Sequence, residues 1–464
     1  MKVLIIGGVA GGASAAARLR RLDEEAEIIV IERTGYVSYA NCGLPYYVGG
    51  VIQDREALTL QTPESFRRRF RIDVRVHQEA VAIHPEKKTV TIRCAEGDYE
   101  ESYDKLLLSP GAKAVRPDLP GIDDERIMTL RTVEDTFRIR SYVEQHRPRH
   151  ATVVGGGFIG LEMAENLMEA GIPTTLLQRS AQVLPPMDYD MACEIHAHLR
   201  RRGVDLRLNT PIDGYDGSGE RLRVLLRDKP PLETDLVLLA IGVTPDTELA
   251  RAAGLTLGGK GAIVVNEHME TSVPEIYAVG DAVEVRHIVS GQKTLISLAG
   301  PANRQGRIAA DCICGGKSRY RGSQGSSVIK LFDLTAASTG LNEKTARSAG
   351  IAYDKVVTFS SDHAGYYPGA VNLTLKTLFD PASGRIIGAQ IVGYGGVDKR
   401  IDVMAEAVRH GLTAADLSEL ELAYAPPYSS ARDPVNVAGF VIENLRAGLV
   451  EQFHWDQVEA LRQA

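Results

Sequence analysis

What this 464-residue chain lacks narrows it first. It has no apolar run of about 18 residues, the length a helix needs to cross a bilayer, so no membrane span is expected. It opens directly on a strand-like run, Lys2-Val3-Leu4-Ile5-Ile6, without the basic region and cleavage site of a secretory leader. Basic excess is missing too. Against 60 Asp and Glu stand 53 Lys and Arg, a net charge of −7, which offers no footprint for nucleic acid. Cysteine is scarce and odd in number, five in all, which argues against a disulfide scaffold and for a reducing, cytoplasmic setting. No metal is expected: Cys312-Ile313-Cys314 has the wrong interval for a zinc knuckle, and Cys94 and Cys193 read as packing residues.

What the chain has in quantity is glycine, 45 residues gathered in turns. The run Lys2–Ile6 is apolar throughout, as in a parallel strand buried on both faces. It leads into Gly7-Gly8-Val9-Ala10-Gly11-Gly12 and an Ala- and Arg-rich helix, then a second apolar strand ending at Glu32. Strand, glycine turn, helix, strand and acid form a dinucleotide fingerprint, imperfect only in that Val9 takes the middle glycine position. The pattern restarts at His150. Gly155-Gly156-Gly157-Phe158-Ile159-Gly160 follows a strand, opens a helix, and leads to a strand ending at Gln178-Arg179-Ser180. Two fingerprints imply two dinucleotides, and electrons passing between them.

The remaining turns place the chain's crossings. Strand Lys105 to Leu108 ends in Ser109-Pro110-Gly111-Ala112, and the inserted unit closes at Leu236 to Pro245, which includes Ile241 and Gly242. Glu275 to Ala282 adds a strand with Asp281 at its carboxyl end, where ligands of such sheets bind. Residues 72–105 alternate as antiparallel strands would (Val74, Val76; Val90, Ile92). The last third has no glycine fingerprint and holds two tyrosine clusters, His363 to Pro368 and Ala423 to Ser430. An α/β protein of two Rossmann-like domains and an α+β third is therefore expected. The bounds are 1–112 with 246–322, then 113–245, 323–446, and a tail over 447–464.

One thiol stands apart. Cys42, in Ser38-Tyr39-Ala40-Asn41-Cys42-Gly43-Leu44-Pro45, lies just ahead of a predicted helix whose positive end favours a thiolate. No second thiol lies within ten residues, so chemistry here is single-cysteine chemistry. An ordinary buried cysteine is the plainer reading of the residue alone. On the first helix Ser14, Arg18 and Arg21 share one face beside the glycine turn, able to meet the phosphates of a bulky substrate or simply solvent.

Taken together, the two fingerprints, the Ser-Pro-Gly-Ala, Ile-Gly-Val-Thr-Pro and Val-Gly-Asp-Ala turns and the third domain resemble the pyridine nucleotide-disulfide oxidoreductases over essentially the whole chain. The segment Asn41 to Tyr46, with His363 to Pro368 and Ala423 to Pro434, resembles the single-cysteine branch of coenzyme A-disulfide and NADH-dependent persulfide or polysulfide reductases. The resemblance implies FAD at Gly7, Gly8, Val9, Ala10, Gly11 and Gly12, with Glu32 at the adenosine ribose. Arg33, Asn41, Val81, Ser109, Pro110, Gly111, Arg131, Gly280, Asp281, Ala282 and Ala299 complete that site. It implies NADH or NADPH at Gly155, Gly157, Phe158, Ile159, Gly160, Gln178, Arg179, Ile241 and Gly242. It also implies a homodimer made by the last third, in which Tyr366 and Tyr424, with Tyr367 beside them, assist the Cys42 thiolate across the subunit boundary.

Coenzyme A is implied at Ser14, Arg18, Arg21, Ser38, Asn41, Tyr428 and Arg432. Phe70 stands where the resemblance would put a basic coenzyme A contact, a departure from strict coenzyme A specificity. Related oxidases and peroxidases carry a histidine in the first turn. Ala10 holds that position here, leaving room for a thiol substrate and no acid–base group for oxygen chemistry. A flavoprotein electron carrier is a third possibility, without a charged docking patch in this sequence to support it. At the nicotinamide site Gln178 replaces the carboxylate that would repel a 2′-phosphate, and Arg179 follows it, so NADPH is expected to serve at least comparably to NADH. The tail around Trp455 resembles a linker into a rhodanese module, with a frayed terminal helix as the plainer alternative.

Overall fold

The computed structural model describes residues 1–463, which divide into two bodies. The first comprises Met1–Val183, Arg200–His287 and Gln292–Ser323; the second comprises Leu184–Leu199, Ile288–Gly291 and the chain from Gln324 on.

The first body is built on two five-stranded parallel sheets. In one, Lys2–Ile6 lies at the centre, between Lys105–Leu108 and Glu27–Glu32, with Ile276–Ala278 and Asp73–Val76 outside them. In the other, Ala151–Val154 lies between Thr174–Leu177 and Leu236–Leu239, flanked by Asp205–Arg207 and Ile127–Thr129. Val3, Leu4, Ile5, Leu106 and Leu107 are wholly buried, the covering on both faces that continuous apolar runs require. A three-stranded antiparallel layer hangs from each sheet, Glu79–His84 to Gly97–Ser102 on the first and Ile212–Asp216 to Leu232–Thr234 on the second. Where the chain passes between the sheets, Ala112–Ala114 and Val243–Pro245 pair antiparallel.

One expectation is corrected here. Val90 and Ile92 lie in the antiparallel layer, but Val74 and Val76 belong to a strand that extends the parallel sheet beside Glu27–Glu32. All four residues of Asp73–Val76 are half-buried at the sheet edge. Alternation reports half-burial and says nothing about strand direction.

The second body is a five-stranded antiparallel sheet in the order Ser327–Leu331, Leu334–Gly340, Ile386–Gly393, Asn372–Phe379, Asp354–Ser361. Helices Val397–His410 and Pro434–Arg446 cover it around Leu375, Ile391, Met404 and Ala438. The tail packs on this body: Gln452 donates to the Lys355 carbonyl at 2.6 Å, and the Trp455 and Tyr189 rings lie 5.8 Å apart. Among the described residues no helix is long and apolar enough to cross a membrane.

Candidate active site

The first glycine turn is tight because backbone presses on backbone. Gly7 has φ +95°, and a Cβ there would lie 2.1 Å from the Ser109 carbonyl oxygen; one on Gly12 would lie 1.9 Å from the Gly7 carbonyl oxygen. Val9 precedes the helix Ala10–Leu22 at φ −103°, outside the left-handed region that favours glycine. That helix begins with no side-chain cap and no acidic residue in its first turn, whereas Pro63–Phe70 and Val133–His146 begin with capping boxes. Uncapped N–H groups at a helix start suit a pyrophosphate. Glu32 is buried at the end of its strand, accepting from the Gly8 and Thr34 N–H groups, both at 2.9 Å. Its carboxylate is thus fixed beside the turn, where a ribose diol binds.

The rest of that set converges on the same sheet end. The Ser109 N–H donates to the Ile6 carbonyl at 2.8 Å, bringing Ser109, Pro110 and Gly111 alongside the turn. Gly280 donates to Gln305 Oε1 at 2.7 Å, and Asp281, followed by buried Ala282, is ion-paired with Arg131 at 2.9 Å. Arg33 is exposed and paired with Asp246 at 2.8 Å, and Ala299 opens the uncapped helix Ala299–Ile313. Val81 falls at a register shift: Ala80 faces Ile92 and Ala82 faces Thr91, leaving Val81 without an opposite residue. Such a bulge turns a backbone unit out of the ladder. These groups fit a flavin dinucleotide.

The second turn repeats the geometry. A Cβ on Gly155 (φ +106°) would lie 2.4 Å from the Ala240 carbonyl oxygen, and one on Gly160 1.8 Å from that of Gly155. A Cβ on Gly157 would meet nothing within 4 Å, so the space before the uncapped helix Phe158–Glu169, which Ile159 continues, is an open cradle. Gln178 Oε1 accepts from the Gly156 N–H at 3.1 Å, the counterpart of Glu32 on Gly8 without its charge. Arg179 beside it is exposed, and Ile241 and Gly242 close the rim after strand Leu236–Leu239. The cradle and the amide fit a nicotinamide nucleotide.

Cys42 sits in a 3-10 turn, Asn41–Gly43, that runs into the five-residue helix Leu44–Val48. The segment is pinned on both sides. Ser38, at φ +45°, donates its N–H to the Gly8 carbonyl at 2.8 Å, while Arg140 Nη1 donates to the Tyr47 carbonyl at 2.8 Å. Gly49 abuts the second fingerprint helix, where a Cβ would lie 2.4 Å from Asn166 Oδ1. Cys42 is exposed, yet the burial it has pushes its pKa up, the Glu162 and Asp281 carboxylates add to this, and the Arg131 guanidinium opposes it. The expectation that a helix start favours the thiolate is corrected: one turn of helix carries little dipole, and desolvation outweighs it.

The coenzyme A set is divided between the bodies. In the first, Ser14 Oγ donates to Asn303 Oδ1 at 2.8 Å, Arg18 is ion-paired with Asp311 at 2.7 Å, and the Arg21 guanidinium lies 5.7 Å from the Phe70 ring centroid. Tyr428 and Arg432 belong to the second body, both exposed. There Tyr366 and Tyr424, 76% and 47% exposed, are joined hydroxyl to hydroxyl at 2.8 Å, and the bond raises the Tyr366 pKa. Tyr367 packs edge-on against the His363 ring at 5.8 Å. A cleft of about 600 Å³ opens beside Tyr424 and Tyr428, over Asp362, Lys399 and Arg400. Asp188, Asp190 and Glu343 lie close enough to chelate an ion, but the Lys376 ammonium stands among them at 3.1, 2.8 and 2.5 Å.

Three residues of these sites were not foreseen. Glu162 lies in the second fingerprint helix beyond the glycine turn, Gln305 in the helix Ala299–Ile313, and Arg400 in a helix with no motif. Glu162 shares its helix face with Glu165 and Asn166, both buried, and that polar cluster in a buried helix is the one signal it offers.

Comparison with known proteins follows the same division. The pyridine nucleotide-disulphide oxidoreductase family model matches residues 1–306, and its dimerisation-domain model matches residues 326–435. A coenzyme A disulfide reductase of Staphylococcus haemolyticus is 37% identical over 447 residues, 96% of this chain and 100% of that protein. The crystal structure of reduced Bacillus anthracis CoADR-RHD superposes with a TM-score of 0.98 at 50% identity, covering 100% of this chain and 83% of that one. A NAD-dependent persulfide reductase from A. fulgidus superposes with a TM-score of 0.95 at 39% identity, covering 98% of this chain and 86% of that one.

Proposed function

We propose that this chain, which belongs to the pyridine nucleotide-disulphide oxidoreductase family, is an FAD-dependent reductase of coenzyme A disulfide, coenzyme A persulfide or polysulfide. It draws electrons from NADH or NADPH and works through Cys42 alone, as a homodimer in the cytoplasm. The observation that carries this reading is the placement of Cys42, a lone, exposed thiol tied to the first glycine turn through Ser38 and set against the second fingerprint helix through Gly49. Such a thiol is between the two dinucleotide sites and open to a substrate. FAD, when bound, supplies the two-electron relay from the nicotinamide. Cys42 attacks one sulfur of the substrate, forming a mixed disulfide or persulfide and releasing the other fragment as a thiolate. Two electrons and a proton then return Cys42 to the thiol and free the second fragment. The Tyr366–Tyr424 pair steadies the thiolates formed, and Ser14, Arg18, Arg21, Ser38, Asn41, Tyr428 and Arg432 hold coenzyme A. The bounds 1–112 with 246–322, 113–245 and 323–446 for the flavin, nicotinamide and dimer domains belong to the same proposal.

Turnover of coenzyme A disulfide, coenzyme A persulfide and hydrogen peroxide, compared in wild type and Cys42→Ser, tests it. The serine variant is expected to keep its FAD and its dimer while losing sulfur reduction. Wild-type turnover by Cys42→Ser would falsify the mechanism, and a rate on peroxide above that on either sulfur substrate would favour the oxidase reading instead.

A further inference from the structure

The two loops bearing the exposed phenols end on one buried cation. Arg400, 1% exposed, projects from the helix Val397–His410. Its Nη2 donates to the carbonyl of Asp362, where the Tyr366 loop begins, at 2.7 Å. The same nitrogen donates to Ser429 Oγ at 3.2 Å and to Asp433 Oδ2 at 2.9 Å, beyond the Tyr424 loop. Nη1 holds the Gly396 carbonyl at 3.2 Å, and Nε turns to Asp433 at 3.2 Å. Ser429 Oγ donates to Asp433 at 2.6 Å, and its carbonyl accepts from the Ala364 N–H at 3.0 Å, a direct stitch between the loops. All three guanidinium nitrogens are engaged. Both loops are met by the one nitrogen Nη2, which the rigid guanidinium holds in place through Nη1 on Gly396 and Nε on Asp433, anchors that a flexible ammonium lacks.

We propose that Arg400 is a positioning residue that fixes the spacing of the loops at 362–368 and 423–429 and so holds the Tyr366 and Tyr424 hydroxyls at hydrogen-bonding distance. This rests on the reading that the phenol pair assists Cys42. A narrower role has to be weighed against it. Asp433 caps the helix Pro434–Arg446 by accepting from the Val435 N–H at 3.1 Å, and Arg400 could serve that cap alone. The cap accounts for the Asp433 contacts. It does not account for the bond to the Asp362 carbonyl, which touches only the Tyr366 loop, while Ser429 joins the Tyr424 loop to Asp433.

Two variants separate the readings. Arg400→Lys keeps the charge and removes the fork, while Ser429→Ala removes the Arg400 contact to the Tyr424 loop together with one bond to Asp433, and leaves the Arg400–Asp433 pair and the Asp433–Val435 cap bond in place. In FAD-loaded dimer carrying 3-fluorotyrosine, the fluorine resonances of the two phenols are assigned with Tyr366→Phe and Tyr424→Phe and followed through a pH titration. In wild type the two are expected to titrate as a coupled pair. In both variants they are expected to separate, with the Tyr366 resonance moving back toward ordinary phenol behaviour. The kcat on coenzyme A disulfide is expected to fall between about tenfold and a hundredfold, with KM for the nicotinamide nucleotide unchanged. In a Tyr366→Phe background Arg400→Lys should cost little more, because the pair it positions is already gone. Coupled titration persisting in both variants would overturn the proposal, as would an Arg400→Lys loss of equal size with and without Tyr366. If Tyr366→Phe itself leaves kcat unchanged, the assistance reading fails, while the fluorine titration still decides the positioning.

Discussion

At the scale of single residues, the environment of Cys42 is set as much by a carboxyl as by the thiol. Burial, with Glu165 adding to it, lifts Glu162 from 4.5 to about 7. A carboxyl whose folded value is raised stabilises the fold fully below its unfolded value and loses that contribution as pH rises through the folded one. Glu162→Gln is therefore expected to match wild type near pH 4 and to exceed it at pH 8, by up to about 3 kcal/mol, in thermal unfolding at the two pH values. With its charge gone, one of the influences that raise Cys42 disappears, so alkylation of Cys42 by iodoacetamide should reach half-maximal rate at lower pH than in wild type. A curve that stays put would detach Glu162 from the thiol. Gln178 is the second decisive residue. Wild type is expected to use NADPH at least comparably to NADH; a preference for NADH above about a hundredfold, near 2.7 kcal/mol, would sink that expectation. Gln178→Glu restores a carboxylate to a position already bonded to Gly156, and should lower kcat/KM for NADPH relative to NADH at least about tenfold, ~1.4 kcal/mol.

Among the elements, the contact between the helix after Cys42 and the second fingerprint helix is the tightest constraint on the thiol. Gly49 has φ −74°, so an alanine there meets no backbone strain, yet its Cβ would lie 2.4 to 2.9 Å from three atoms of buried Asn166. Gly49→Ala is expected to cost about 1–3 kcal/mol through overpacking, read as a lowered midpoint in denaturant. Full stability would mean that the two helices slide freely. Both glycine turns, their strands and Glu32 were legible in the sequence because each is a local pattern fixed by close backbone approach. Asp73–Val76 was misassigned because alternation is identical at the edge of a parallel sheet. Glu162, Gln305 and Arg400 escaped because their partners lie far along the chain: Arg400 meets Asp433 and Asp362, 33 and 38 residues away. The balance at Cys42 was read with the wrong sign, since a helix start is visible in sequence and desolvation is not.

At the scale of the whole molecule, the second body is held together by buried charge. Lys376, 0% exposed, stands between Asp188 and Asp190, of a segment borrowed from between strands Thr174–Leu177 and Asp205–Arg207, and Glu343 of the body's own chain. Glu343 also meets Lys355, which reaches Asp456 in the tail at 3.3 Å. Against the burial that opposes it, the two ammonium groups hold Glu343 down to about 2, so its stabilisation is present above its unfolded value and fades as pH falls toward that figure. Lys376→Met would leave three carboxylates without their central cation. It is expected to cost about 3–5 kcal/mol at neutral pH, a penalty that shrinks as pH falls below 4.5, measured by unfolding across that range. A penalty independent of pH would assign the loss to packing.

The arrangement of the two parallel sheets also sets an order of events during synthesis. The sheet that opens the chain needs Ile276–Ala278 beside Lys105–Leu108, and Asp281 follows directly after, whereas every strand of the second parallel sheet lies between Ile127 and Leu239. Between Leu108 and Ile276 the ribosome adds roughly 170 residues, on the order of 10–30 s at ~5–20 residues per second. The later fingerprint can therefore mature while the earlier one still waits with an uncovered strand edge. On the proposed assignment of the two sites, the nascent chain becomes competent for its nicotinamide before it can close on its flavin.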